Sequence, residues 1–368
     1  MSLRDKLKAK AGTNAGPDVF SRFGVTGNPF PSSSQTANNP HYKLSVDDDV
    51  ETRIVSFLRD GKSQVIVIEG TQGVGKTNFL NFFEDEIQGA LGELDGYYIV
   101  RYLADPEASF EGTVRRLFQE LGVDHLLKLA VELKQHPSAL EQARSQDMRF
   151  ALAHLMNAAD QSACAKSMME WLLGFRLLKI HRESLGVQFR LDTVESKTAS
   201  LRDLVLVSSD VGILKGIFLL LDELEKQDGV LSPTAVVRYL SAMRAIIDAL
   251  PNHLFMMIAV TPDAMRRYSS ALPAFRSRLQ NQITLLPLSS VDEARLLADF
   301  YLDVGRKQAA KSRTTKPGTR ALITSAQIES TFEQLRKLAE RRGDAGVRQR
   351  EFLHQLYVLA EQAIQGSS

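Results

Sequence analysis

Gly70-Thr71-Gln72-Gly73-Val74-Gly75-Lys76-Thr77 fits the pattern G-x-x-x-x-G-K-[ST]. Glycines at these positions let a backbone curl until its N–H groups converge on an anion. A helix opening at the lysine would add the positive end of its dipole. In such a loop Lys76 would reach the β- and γ-phosphates of a nucleotide, and the Thr77 hydroxyl would join the shell of a magnesium ion. The plain alternative is a glycine-rich turn with a chance lysine. The flanks argue against it: the apolar run QVIVIE (64–69) precedes the loop, and Phe79, Leu80, Phe83, Ile87 and Leu91 follow at helical spacing.

A phosphate loop needs an acidic partner at the tip of a neighbouring strand. The run 217–221 consists of buried-type residues and ends in Asp222-Glu223. Asp222 would hold magnesium, usually through water, and Glu223 would polarise the attacking water. Acidic residues also favour helix N-termini, and that reading is compatible with the first.

The elements that must position these groups follow from periodicity. Residues 47–61 predict a helix, and 64–69, 97–103, 216–221, 253–260 and 282–286 predict five strands. Between the second and third strands, 106–184 is almost purely helical and contains Trp171. Ser232-Pro233 opens a further helix that stops before Pro251. After Pro287 the pattern is helical throughout, with capping boxes predicted for Ser290 with Glu293 and Thr324 with Gln327. Alternating strands and helices followed by a helical tail predict an α/β fold with a parallel sheet. The predicted division is an irregular arm (1–48), an α/β nucleotide-binding domain (49–286, with a helical insertion at about 106–200) and an all-α domain (287–368).

Composition narrows the function classes. Lys plus Arg number 45 and Asp plus Glu 44, a net charge of +1, so any nucleic-acid surface must be a local patch. Cys164 is the single cysteine, which excludes an internal disulfide and a cysteine-based zinc knuckle. The histidines show no pair at metal-ligand spacing. No apolar run approaches the roughly 20 residues that span a bilayer. The start MSLRDKLKAKAG lacks the apolar core of a secretory signal. A soluble, cytoplasmic protein without a membrane partner is the expectation.

With the loop and the Asp222-Glu223 strand in hand, the chain resembles an AAA+ P-loop ATPase over about residues 45–365. That resemblance implies ATP and Mg2+ as ligands, a homo-oligomer, and residues 287–368 as a helical lid. It implies a polar sensor at the end of the next strand, where Thr261 stands; Thr261-Pro262 is equally a good helix cap. It implies an arginine finger from the Ser277-Arg278 pair, with Arg276 the nearby rival, reaching the ATP of an adjacent subunit. Either arginine is otherwise an ordinary surface residue. Arg348, which opens the last amphipathic helix, is similar to the second sensor of the lid; its alternative is a solvated arginine in a charged stretch with Arg341, Arg342 and Arg350.

Within that superfamily, the stretch between Lys76 and Asp222 is roughly twice what a minimal core needs. The order of Trp171-Leu172-Leu173-Gly174, Gly216-Ile217 and Asp222-Glu223-Leu224-Glu225 is similar to the BrxC/BrxD-type ATP-binding proteins of bacterial phage-defence islands. Phe23-Gly24-Val25 and Asn28-Pro29-Phe30 more distantly resemble the segment ahead of the nucleotide domain in the TnsC/ExeA group. These resemblances imply ATP hydrolysis by an oligomeric, DNA-associated switch or motor with an effector protein as partner. The alternative is an ATP-binding scaffold that assembles and recruits an effector or transposase with little hydrolysis.

For DNA, the segment 306–320 carries Arg306, Lys307, Lys311, Arg313, Lys316 and Arg320 with no acid. Such a segment neutralises phosphates without reading sequence, or is simply a solvated loop. It has no interleaved aromatic, which argues against a stacking platform for single strands.

Overall fold

Five parallel strands form one sheet in the order β2-β3-β4-β1-β5: β1 (Gln64–Glu69), β2 (Tyr97–Leu103), β3 (Gly216–Asp222), β4 (Leu254–Val260) and β5 (Asn281–Thr284). This computed structural model describes residues 20–32, 35, 39–103, 110–229, 232–279, 281–311 and 320–365. Every position of β3 and β4 is buried, as expected of central strands covered on both faces. The α/β class with a parallel sheet is as the sequence predicts.

Strand ends differ from expectation at β3, β4 and β5, and two of these differences have local causes. β5 stops at Thr284, not 286, because Thr284 pairs with Glu69, the last residue of β1, and no ladder exists beyond it. β4 begins at Leu254 because His253 adopts φ +70°, with its ring held by Ser209 Oγ (2.7 Å) and the Lys215 carbonyl (3.1 Å).

The chain divides into two compact units. One comprises Leu44–Gly70 and Phe79–Thr284; the other comprises Met1–Lys43, Thr71–Asn78 and Leu285–Ser368. In the first, α1 (Asp47–Asp60) lies on one face of the sheet. Its Phe57 ring meets Phe218 and Phe255 at centroid separations of 5.2 and 5.5 Å. A Cβ on Gly216 would lie 2.9 Å from that ring, so glycine is required by the approach. α2 (Lys76–Leu91) links β1 to β2.

Between β2 and β3 the chain forms a run of helices. It holds α3 (Phe110–Gln135, broken at Gly122), α4 (Gln146–Asn157), α5 (Gln161–Leu172), α6 (Lys179–Leu185) and α7 (Val194–Asp210). Its buried residues are continuous with Ile217, Leu219 and Leu221 of β3, so insertion and sheet share one core. Trp171 is fully buried, and its indole N–H donates to the Phe189 carbonyl at 2.9 Å. Lys197, also buried, pairs with Glu111 at 2.6 Å. α8 (Pro233–Ala249), α9 (Pro262–Ala271) and the short α10 (Pro273–Arg276) complete this unit.

The other unit is built on α11 (Val291–Lys311), α12 (Ser325–Arg342) and α13 (Gln349–Gln365). The arm expected to be irregular contributes Phe23, Val25 and Phe30 to their core. Asn28 fixes it further, donating to the Tyr357 carbonyl (3.0 Å) and to Glu361 (2.9 Å). Thr324 and Gln327 form the predicted capping box. The box predicted for Ser290 and Glu293 is only half made. Ser290 Oγ accepts from the Glu293 N–H, but the carboxylate turns to the Ser289 N–H at 2.7 Å. No described helix is long and apolar enough to cross a membrane.

One buried polar contact ties the sheet to the insertion. His125 on α3 bonds the Tyr98 hydroxyl at 2.6 Å and Ser208 Oγ at 2.8 Å. One neutral tautomer, with one ring nitrogen donating and the other accepting, makes both bonds. Burial lowers its pKa from 6.5 to about 4. The unfolded chain therefore takes up a proton near pH 6.5 that the folded chain refuses until about pH 4, and stability is lost as pH falls through that window. Urea unfolding of the wild type should lose about 3 kcal/mol across it. His125→Gln should show a correspondingly flatter profile; equal slopes in the two proteins would remove His125 as the cause.

Candidate functional site

Parallel pairing sends the carboxyl ends of β1, β3 and β4 to one edge of the sheet, where ligands of open α/β sheets bind. Gly70, Asp222 and Thr261 stand at those ends. Gly70 N–H donates to the Val260 carbonyl at 3.2 Å. Asp222 is 1% exposed, and both of its oxygens are engaged. Oδ1 accepts from the Glu223 N–H (2.9 Å), and Oδ2 accepts from Arg101 Nη2 (2.7 Å).

Arg101 is a residue that the sequence reading missed. It sits two positions before the end of β2, and β2 pairs with β3 so that Leu103 lies opposite Asp222. Its Nη1 is buried with no hydrogen-bond partner. Its Nε lies 4.0 Å from Glu84 of α2, whose pKa is raised by burial and partly restored by the guanidinium. The signal was present: one arginine in the otherwise uncharged strand YYIVRYL.

Glu223 follows at φ +54°, a left-handed backbone uncommon for a residue with a side chain. Its carboxylate pairs with Lys226 one turn on. The Tyr268 hydroxyl donates to the Leu224 carbonyl (2.9 Å) and anchors this turn. Thr261 caps α9, its Oγ1 accepting from the Ala264 N–H at 3.4 Å with Pro262 at the first helical position.

In the helical unit, residues 71–75 open α2 at Lys76. Gly73 (φ +86°) and Gly75 (φ +101°) hold left-handed conformations that other residues rarely adopt. The Val74 side chain is buried beneath the loop, and Lys76 Nζ donates back to the Thr71 carbonyl at 3.4 Å. The first turn of α13 lies against this loop. Arg350 N–H donates to the Gly73 carbonyl (3.0 Å), and a Cβ on Gly75 would meet Gln349 Oε1 at 3.1 Å.

The strap entering that turn is pinned by a two-way backbone bridge between Val347 and Leu288, each bond 2.9 Å. Arg348 is thereby set beside Gly73, its Cβ 3.6 Å from where a Gly73 Cβ would lie. Its guanidinium donates to Asp344 (3.1 Å) and approaches Glu351 at 3.8 Å, while its Nε is buried without a partner. The hydrogen bond from Arg342 lowers the pKa of Glu351.

Elsewhere, Arg278 Nε pairs with Asp248 of α8 at 2.5 Å, and Arg276 is exposed at the end of α10. Of the basic segment, Arg306 pairs with Asp303 (3.2 Å), and Lys307 and Lys311 are exposed at the end of α11. Arg320 lies over the Phe23 ring at 5.8 Å. Arg313 and Lys316 lie outside the described residues.

Among the described residues no group of three or more His, Cys, Asp or Glu is placed to cage a metal.

The buried Asp222 charge makes Arg101 testable. Arg101→Met would leave it uncompensated and should cost about 3 kcal/mol in denaturant unfolding. Adding Asp222→Asn to that variant should restore most of the loss. A single variant as stable as the wild type would show that the pair does not carry this charge.

Comparison with known proteins bears on the same region. No curated protein matches the sequence. The ORC2 protein of Aeropyrum pernix in its ADPNP-ADP complexes is similar over 90% of this chain and 72% of that one, with 12% identity and a TM-score of 0.43. The ADP form of the same protein is similar over 92% and 73%, with 13% identity and a TM-score of 0.41. A family model covers the insertion from within α3 onward, the Asp222-Glu223 turn, Thr261 and the Arg276–Arg278 region, and begins downstream of the glycine-rich loop. Residues 128–296 match the BREX system ATP-binding protein BrxC/D family, the resemblance that the sequence itself carries.

Proposed function

We propose that this chain is an ATPase that binds ATP with magnesium at residues 70–77 and hydrolyses it. The observation that carries this reading is the loop: two left-handed glycines, Gly73 and Gly75, turn the backbone into the start of α2 with Lys76 at its first position. Free N–H groups at a helix start favour phosphate, and Lys76 adds a full charge to them. Thr71, Gln72 and Val74 would complete the cradle through their backbone, with Gly70, whose N–H is given to the Val260 carbonyl, opening the loop.

Thr77 and Asp222 would hold the magnesium ion, which neutralises phosphate charge when bound. Glu223 would orient a water and accept its proton as the water oxygen bonds the γ-phosphorus and the bridging oxygen leaves with ADP. Thr261 would bond that water or the γ-phosphate, and Arg348 would turn from Asp344 to the phosphates. Arg278, or Arg276 in its place, would serve the ATP of a neighbouring subunit, which makes the active form a homo-oligomer. The setting we assign is a cytoplasmic phage-defence or mobile-element assembly that engages DNA and an effector protein. Arg306, Lys307, Lys311, Arg313, Lys316 and Arg320 would supply phosphate contacts.

A second reading has its own support. Glu223 is paired with Lys226, and Asp222 with Arg101, so both acids have partners within the chain. That arrangement suits an ATP-bound scaffold with little turnover.

Phosphate release with and without DNA separates the two. In the ATPase reading Lys76→Ala should lose most ATP affinity, and Glu223→Gln should bind ATP normally with turnover reduced at least ~100-fold. Wild-type turnover in Glu223→Gln would leave that residue only a structural part. Arg278→Ala should bind ATP, lose hydrolysis, and regain it when mixed with Lys76→Ala subunits. A mixture that forms mixed oligomers and stays inactive would shift the role to Arg276.

A further inference from the structure

The helical insertion presents a face that nothing in the ATPase reading uses. Phe189 is 72% exposed, Phe175 52% and Phe150 40%, the last on α4 and the other two between α5 and α7. Phe150 and Phe189 share one groove, and contiguous exposed apolar surface marks an interaction site. They do not hang on a slack loop.

The backbone that carries them is bonded on both sides. The Gln188 and Phe189 N–H groups donate to the Asp147 carboxylate (3.3 and 3.0 Å), and the Phe189 carbonyl accepts from buried Trp171. The Arg190 guanidinium donates twice to the Gly174 carbonyl (3.0 and 2.8 Å), which brings it beside Phe175. Gly174 itself takes φ +78° with no room for a Cβ, since the Leu191 carbonyl would lie 2.6 Å away. His181 closes the other end, accepting from the Leu178 N–H and bonding Glu170 at 2.8 Å. Phe150 and Phe189 line a groove of about 310 Å³ with Arg190 at its side.

The charge on this face selects the occupant. Across 174–190 the exposed ionic residues are Arg176, Lys179, Arg182 and Arg190 against Glu183 alone, and Glu183 is already paired with Lys179 (3.4 Å); at the edges of that stretch Glu170 bonds His181 and Asp192 is exposed. Asp147, in the groove wall, is taken by backbone N–H groups. Aromatic rings fixed outward among cations answer a ligand that alternates flat apolar surfaces with anions. We infer that this face of the insertion binds single-stranded nucleic acid, its bases stacking on Phe150 and Phe189 and its phosphates meeting Arg176, Arg182 and Arg190. This face is independent of the nucleotide site, and it places nucleic-acid contact on residues other than 306–320.

The test is fluorescence anisotropy of a labelled twenty-nucleotide oligothymidine with the full chain, without ATP. Binding should weaken at least tenfold in Phe150→Ala/Phe189→Ala while the ATP affinity of that variant stays unchanged. Arg176→Gln/Arg182→Gln should flatten the dependence of log affinity on log salt by about 0.7 for each phosphate that is no longer neutralised. Unchanged oligothymidine affinity in the phenylalanine variant would overturn the proposal. So would a wild type that binds no single strand at low salt, which would assign the face to a protein partner or a second copy. Loss of ATP binding in Lys76→Ala bears on the ATPase reading alone.

Discussion

A charged carboxylate at the end of a fully buried strand needs a positive partner, and much of the sheet edge is arranged around that need. Asp222 ends β3 with 1% exposure, and Arg101 reaches it from the neighbouring strand. The pair fixes the register in which β2 carries its only charge into the interior. It also fixes the terms on which Asp222 meets any other cation. In the ATPase reading a metal must either share the carboxylate with a guanidinium already bonded to it or displace that group into a region where Nη1 already lacks a partner. Displacing the guanidinium has an electrostatic cost of its own, because Arg101 would then depend on Glu84, 4.0 Å away, for its counter-charge.

The helical unit is held by a different logic. Three buried hydrophobics from the arm and the amide of Asn28 fix the chain against α11 and α13, and the close approach at Gly305 leaves no room for a side chain beside Pro29. The Phe23-Gly24-Val25 and Asn28-Pro29-Phe30 pieces thus have a packing role whatever their relation to other ATPases. The same unit joins the glycine-rich loop to the first turn of α13 by one backbone bond, Arg350 N–H to the Gly73 carbonyl. A change in loop conformation must stretch or keep that bond, so the loop and Arg348 are mechanically coupled.

β1, β3 and β4 were legible because each is an apolar run of the kind that a parallel sheet buries on both faces. The loop was legible because its pattern specifies a backbone shape. What stayed hidden depends on contacts distant in sequence or on competition between near neighbours. Arg101 and Asp222 lie far apart in the chain, and only strand order brings them together. Residues 20–32 read as irregular by composition; Ser21–Phe23 form a 3-10 turn there, and three side chains among them are core. Glu293 turned to Ser289 instead of closing its box, and Arg278 found Asp248, each a choice between partners that spacing alone cannot rank.

Trp171 is the single tryptophan of the chain, fully buried and bonded through its indole to the carbonyl of exposed Phe189. The insertion therefore carries an indole fluorophore that the rest of the chain lacks. Its emission isolates this subdomain from the rest of the molecule without any label. A spectrum that shifts to the red would report solvent reaching the insertion core, while the helical unit, having no tryptophan, would unfold without moving that signal.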